Sequence, residues 1–200
     1  MRYPSPADDP RRNNCPLCEA LVVQVCQFTK PPSRSAVQRP DGELVGVLDN
    51  IRSAQNVGTM LRSADGAAFS SVVLGGLTAP VDNPKVVKTA LGAQHVVPSE
   101  SALDVLPVIE GLGNDGYQVW AMDHTHRSTQ LQDIVTRPAR LALVVGNETA
   151  GVDPAILELA DRHIHLDMHG SKSTLNVGVA FGIAAYWLTS LPVDSGEQHS

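Results

Sequence analysis

From Leu44 onward the chain is a succession of short apolar runs, LVGVL, SVVLGG, HVVP, YQVWAM, LALVVG and HIHL, separated by helical patterns. A run without polar alternation suits a strand buried on both faces, and parallel neighbours need long crossovers that helices usually supply. The alternation therefore predicts an α/β fold: a mostly parallel sheet with helices on both faces.

Punctuation and spacing place the helices. The first is expected from near Val57 to Ala67, the second from Asn83 to Leu91, and the third from Ala102 to Leu112, ahead of the breaker run Gly113, Asn114, Asp115, Gly116. Asp153 followed by Pro154 is an N-cap and first-turn pair, opening a helix through Ala160. The last helix is expected from about Leu175 to Leu191 and is apolar over most of its circumference. It needs cover on several sides, part of which a second copy of the chain can supply. Its core, Val177 to Leu188, falls short of a membrane span.

Residues 1–43 have a different texture, rich in Pro, Arg, Ser, Asp and Asn, and are expected to form an extension that is partly disordered or contacts RNA. Residues 44–192 carry the fold, and 193–200 form a polar tail. Cys15, Cys18 and Cys26 all lie in the extension; an odd number without an apolar signal segment fits a reducing, cytoplasmic setting. Cys15 and Cys18 form only half of a zinc motif. His163 and His165 share a strand face, with His169 beyond them and His124 and His126 elsewhere. Lacking Cys or carboxylate partners at ligand spacing, they read as hydrogen-bonded or solvated, and no residue is assigned to a metal.

Fifteen Lys and Arg against 21 Asp and Glu leave a net charge of -6, which argues against a generic polyanion binder. Local clustering still matters, and Arg52, Arg62, Lys85, Lys88, Arg127 and Lys172 can line one rim. No GxGxxG follows a strand, no GxxxxGK[ST] occurs, and no serine elbow is present. These absences argue against the usual dinucleotide, P-loop and α/β-hydrolase readings.

Three segments concentrate small and polar residues where elements begin or end. In NVGTMLR, Gly58 permits a tight strand-to-helix turn, Asn56 can cap the helix, and the planar fork of Arg62 suits a phosphate. In GNETAG, Gly146 and Gly151 follow an apolar strand, whose carboxyl end is the usual ligand position in an open α/β sheet. Glu148 there either braces adjacent loops by accepting N–H groups or orients Arg62. In GSKSTLN, Thr174 and Asn176 sit two apart at a helix N-terminus, where both can cap and face a cleft. Each segment alone also suits a capped helix or a turn with no further role.

In order, over about 120 residues, these segments resemble the three signature motifs of the SpoU (TrmH-like) RNA ribose 2'-O-methyltransferases of the SPOUT class. From Leu166 through Asp167, Met168 and Gly170 to Thr174, Leu175 and Asn176 the third motif keeps its register. Asp167 replaces the family's common proline, and Thr174 its serine. The resemblance implies a C-terminal deep trefoil knot, S-adenosyl-L-methionine as cofactor, a ribose 2'-hydroxyl of tRNA or rRNA as substrate, and a cytoplasmic homodimer with no membrane association. It implies catalytic or substrate-side roles for Asn56 and Arg62. Glu148 would hold the site's loops, and Thr174 and Asn176 would position the ribose. The cofactor would be held by Gly146, Leu166, Met168 and Leu175, with Met122 and Ala121 along the same pocket. The alternative is a knotted module that binds RNA or the cofactor without methyl transfer, suggested by the acidic charge and the altered third motif.

Overall fold

The computed structural model describes residues 41–194, together with Asn14 and residues 19–21. By contacts the chain divides into Met1–Gln38 and Arg39–Ser200. Of the first unit the described part is a single bridge between Asn14 and Leu21. The expectations for Cys15, Cys18 and Cys26, for most of the extension, and for residues 195–200 of the tail lie outside the described residues.

In the second unit seven strands form one sheet: β1 (Glu43–Asp49), β2 (Ser71–Gly75), β3 (Ser99–Ala102), β4 (Gln118–Met122), β5 (Thr129–Gln130), β6 (Arg140–Val145) and β7 (Arg162–His165). Their order is β3-β2-β1-β6-β4-β7-β5, and every pairing is parallel. Five helices accompany them: α1 (Ala54–Gly66), α2 (Pro84–Ala90), α3 (Leu106–Asn114), α4 (Pro154–Leu159) and α5 (Val177–Ser190).

The apolar runs split by parity into two cores. Leu44 and Leu48 of β1 with Leu141, Leu143 and Val145 of β6 pack against Val57, Met60 and Leu61 of α1, Val86 of α2, and Phe181 and Leu188 of α5. Val45, Val47, Ala142 and Val144 face the other way, onto Ile109 of α3 and Ile156 of α4. Side chains of successive strand residues point to opposite faces, so a run apolar at every position fills both layers.

Several expected elements move. HVVP is not a strand: Ala93–His95 is a turn of 3-10 helix, and β3 is the polar SESA that follows. As an edge strand, β3 need not be apolar on both faces, which hides it from a hydrophobicity pattern. Two-residue β5, at the other edge, is hidden for the same reason. Helix α3 starts at Leu106, where Asp104 accepts the backbone N–H of Leu106, and runs through Gly113 to Asn114. Asp153 and Pro154 open α4 as expected, and Asn83 and Leu91 flank α2 as its caps.

Two readings at α1 are corrected. Ser53, not Asn56, caps the helix, its hydroxyl accepting from the Asn56 N–H at 3.3 Å. Gly58 is no turn residue but lies buried within the helix, where a Cβ would run into Thr89 and the backbone of Val86 and Ala90 on α2. The glycine permits close approach of two helices, a constraint set by packing.

Candidate active site

The carboxyl ends of β1 and β6 lie side by side, Leu48 opposite Val145, and the sequences beyond them are tied by polar contacts. Asn50 turns the chain out of β1 with φ 54°, a left-handed conformation that Asn tolerates. Its carbonyl accepts from the Asn147 side chain at 2.8 Å, and the Asn147 side-chain oxygen accepts the N–H groups of Thr149 and Ala150 at 2.9 and 3.1 Å. Asn147 thus shapes the loop after β6 and pins it to the loop after β1. Gly146 starts this loop so close to the backbone of Gly151 and Val152 that no Cβ fits.

Glu148 stands at the tip of that loop. One carboxylate oxygen accepts the Arg52 N–H at 2.9 Å; the other accepts the Ser53 N–H at 3.1 Å and the Asn56 side-chain amide at 2.9 Å. Burial alone would raise its pKa, but the N–H donors of Arg52 and of Glu148 itself, the Asn56 amide and the Ser53 N–H outweigh that and hold it below the ordinary carboxylate range. Of the two arrangements the sequence leaves open, the geometry is the bracing one, and none of these contacts involves Arg62.

An ionised carboxylate only accepts, so Asn56 must turn its NH2 group to Glu148 and its oxygen away. That oxygen accepts the Asn176 side-chain amide at 3.1 Å. The remaining Asn176 oxygen accepts from Gly178 and Val179 at 2.9 and 3.2 Å, capping α5. Three segments far apart in sequence therefore form one directed relay, Glu148 to Asn56 to Asn176 to the α5 N-terminus, inside a single chain. Each amide orientation is dictated by the one before it.

The proposed cofactor residues lie one step along the sheet. Met122, the last residue of β4, is in register with Val145 of β6 on one side and Ile164 of β7 on the other, so Gly146, Met122 and Leu166 lie at the ends of three adjacent strands. Met122 and Leu166 are partly buried against the core layer of α1 and α5, whereas Ala121 is fully buried in the opposite layer. Met168 is half-buried, and Thr174 and Leu175 are exposed. Asp123, which the sequence did not single out, accepts the Val152 N–H at 2.8 Å and ties the β4 end to the loop after β6. Ser53 likewise carries no mark in the sequence, and Asn147 reads there only as a turn residue; small polar residues just beyond apolar runs are the available signal.

Arg62 is not drawn into the relay. It is exposed on α1, under two turns and roughly 9 Å along the axis from Asn56. Its guanidinium makes no hydrogen bond or ion pair among the described residues. Nearer the relay, a groove of about 590 Å³ between the starts of α1 and α2 is lined by Arg52, Ser53, Gln55, Asn83 and Lys85. It offers two cations beside the Asn56 turn.

Comparison with known proteins bears on this arrangement. The sequence model of the SpoU rRNA Methylase family matches residues 43–186. A curated relative, the 23S rRNA (guanosine(2553)-2'-O)-methyltransferase RlmP of Bacillus subtilis, is 34% identical over 167 residues, covering 84% of this chain and 64% of that protein. The chain thus spans just under two thirds of that relative's length. Among solved structures, the AdoMet-bound rRNA methyltransferase of Sinorhizobium meliloti superposes with a TM-score of 0.69 at 28% identity, over 75% of this chain and 57% of that one. The A. aeolicus TrmH/SpoU tRNA modifying enzyme gives 0.67 at 26% identity, over 76% of each.

Proposed function

Because the chain belongs to the SpoU rRNA Methylase family, we propose that it transfers a methyl group from S-adenosylmethionine to a ribose 2'-hydroxyl of RNA, tRNA or rRNA. The observation that carries this reading is the relay of Glu148, Asn56 and Asn176, which joins all three signature segments at the carboxyl ends of β1 and β6. A ligand crevice is expected at that place in an open parallel sheet.

The residues fit the cofactor: Met122 and Leu166 give an apolar, partly open ledge beside the glycine-started loop of Gly146. Met168 and Leu175 stand on the exposed segment after β7. When bound, the cofactor supplies an electrophilic methyl on a positively charged sulfur. The reaction is a displacement in which the ribose oxygen forms the new C–O bond, the C–S bond breaks with its electron pair leaving on sulfur, and the hydroxyl proton is lost to solvent or a base. Opposite charges on oxygen and sulfur cancel as the bond forms, so positioning is the protein's main task. Asn56 and Asn176 are held by Glu148 and by α5, and present a fixed polar edge to the ribose. Thr174 adds a hydroxyl nearby in sequence. Arg62, permanently charged, steadies the developing alkoxide and the adjoining phosphate. Arg52 and Lys85 hold the RNA backbone along the neighbouring groove.

A homodimer belongs to the same reading. Helix α5 exposes Val179, Ile183, Tyr186 and Trp187 at helical spacing, with Leu175 just before it. A second copy covering this face would bring Arg62 of one protomer to the relay of the other, supplying the guanidinium that neither relay holds alone. The C-terminal knot of the SPOUT class is proposed for the segment around β7 and α5. No helix among the described residues is long and apolar enough to cross a membrane.

The test is calorimetric titration with S-adenosylmethionine, followed by transfer of labelled methyl to total cellular RNA and mapping of the modified ribose. Binding with transfer to a 2'-oxygen is the expected result. Binding without transfer to any RNA would replace the enzyme by a binding module.

A further inference from the structure

The histidines that found no partners in the sequence find them in the fold. Strand β4 ends beside β7, with the Asp123 N–H donating to the Ile164 carbonyl at 3.0 Å, so the residues just beyond both strands emerge together. His124 lies two residues beyond β4, His165 ends β7, and Asp167 lies two residues beyond it, its carboxylate against the His165 ring. One ring nitrogen from each histidine and one Asp167 oxygen lie within 4.8 Å of one another. The His165 Nε2 to Asp167 Oδ1 distance is 3.2 Å, and the two imidazoles are tilted at 58° with centroids 4.7 Å apart.

We propose that His124, His165 and Asp167 form a binding site for a divalent transition-metal ion of the zinc class. Two imidazoles and a carboxylate are a borderline-hard set that suits Zn²⁺, Co²⁺ or Ni²⁺ better than Mg²⁺ or Ca²⁺. In a tetrahedral site with bonds of about 2.0–2.2 Å, ligand atoms stand roughly 3.3–3.6 Å apart. The His165–Asp167 edge is already that short. His124 is exposed, so its ring can close the remaining gap by side-chain rotation without moving the strands. His124 and Asp167 both face solvent, leaving a fourth position open to water.

His163 is no part of this site. Its ring is buried and already held by Thr125 at 2.8 Å and the Leu157 carbonyl at 2.9 Å. The other ring nitrogen of His165, Nδ1, is buried without a hydrogen-bond partner among the described residues, so only one of its nitrogens is committed to a neighbour there. A bound ion would clip the segment after β4 to the segment after β7, the two that flank Met122 and Leu166. The proposal stands on this cluster alone and does not depend on methyl transfer.

The experiment is a Co²⁺ and Zn²⁺ titration of the untagged full chain, by calorimetry and Co²⁺ absorption, with H124A, D167A and a C15S/C18S/C26S variant beside it. One ion bound with a nitrogen- and oxygen-ligand Co²⁺ spectrum is expected, unchanged in the cysteine variant. H124A and D167A each remove a ligand and should weaken it by about tenfold or more, since loss of even an outer-shell partner costs that much. Both substitutions are at exposed positions, and thermal melts without metal check that the fold persists. No binding, binding indifferent to H124A and D167A, or a thiolate spectrum lost in the cysteine variant would each overturn the assignment.

Discussion

Glu148 sets the sense of every hydrogen bond in the relay because it is an acceptor only. Glu148→Gln keeps the size but places an NH2 group against either the Asn56 amide and the Ser53 N–H or the Arg52 N–H, all of which are donors. In the first orientation Asn56 must turn or withdraw and Asn176 loses its fixed partner; in the second the Arg52 N–H is repelled and the loop that carries Asn56 shifts. Misplacing reacting groups by an ångström costs roughly 10²-fold, so kcat should fall by about that factor while cofactor affinity changes little. A steady-state assay with separate cofactor titration checks this; full activity in the variant would remove Glu148 from the site. The same carboxylate makes a stability prediction. Its folded pKa is depressed, so its contribution is complete above the unfolded value of about 4.3 and is lost as pH falls through the folded one. Wild-type urea midpoints should therefore drop more steeply below about pH 4.5 than those of Glu148→Gln. Parallel curves would mean that the hydrogen bonds do not favour the ionised form.

At the scale of elements, Gly58 shows how a motif can be legible while its reason is not. The sequence marks a glycine between Asn56 and Arg62 but cannot show that α2 lies against it. In an open helix, Gly58→Ala would stabilise by about 1 kcal/mol through propensity. Here the added methyl meets Thr89 and the α2 backbone, and overpacking costs about 1–3 kcal/mol, so the net effect should be destabilising. A thermal or urea melt decides it by sign alone, and a raised melting temperature would show that α1 and α2 stand further apart. The same division holds along the chain. Strands β1, β2, β4 and β6 were readable because burial on both faces leaves a nearly unbroken apolar run, and β7 showed only in the shorter pattern HIHL. Edge strands β3 and β5 carry no such mark. Capping pairs such as Asp153–Pro154 were readable because they act within a few residues. Asn147 and Asp123, which join distant loops, carried only the weak signal of a polar residue after a strand, and the His124–His165–Asp167 cluster needed β4 and β7 to be neighbours before it could be recognised.

For the whole molecule, the proposed homodimer would have to bring the guanidinium of Arg62 to a relay that, within one chain, does not include it. The exposed face of α5 is the surface on which that dimer would form. Substituting Ile183→Asp together with Tyr186→Asp places two charges in that face while leaving buried Phe181, Ala184, Ala185 and Leu188 in the core. Sedimentation should then report a monomer of unchanged circular dichroism with methyl transfer largely lost; an active monomer would place the whole site within one chain. Mixing variants separates shared sites from mere stabilisation. If Arg62 of one protomer serves the relay of its partner, a reassociated mixture of Arg62→Ala and Glu148→Gln chains contains hybrid dimers with one intact and one doubly defective site. Random pairing makes half of all dimers hybrid, so the mixture should recover about a quarter of wild-type activity although each parent is nearly inactive. If instead each protomer used its own Arg62, every site in the hybrid would lack one group and mixing would restore nothing. Recovery near a quarter thus ties the exposed guanidinium, the directed relay and the uncovered helix to a single assembled crevice.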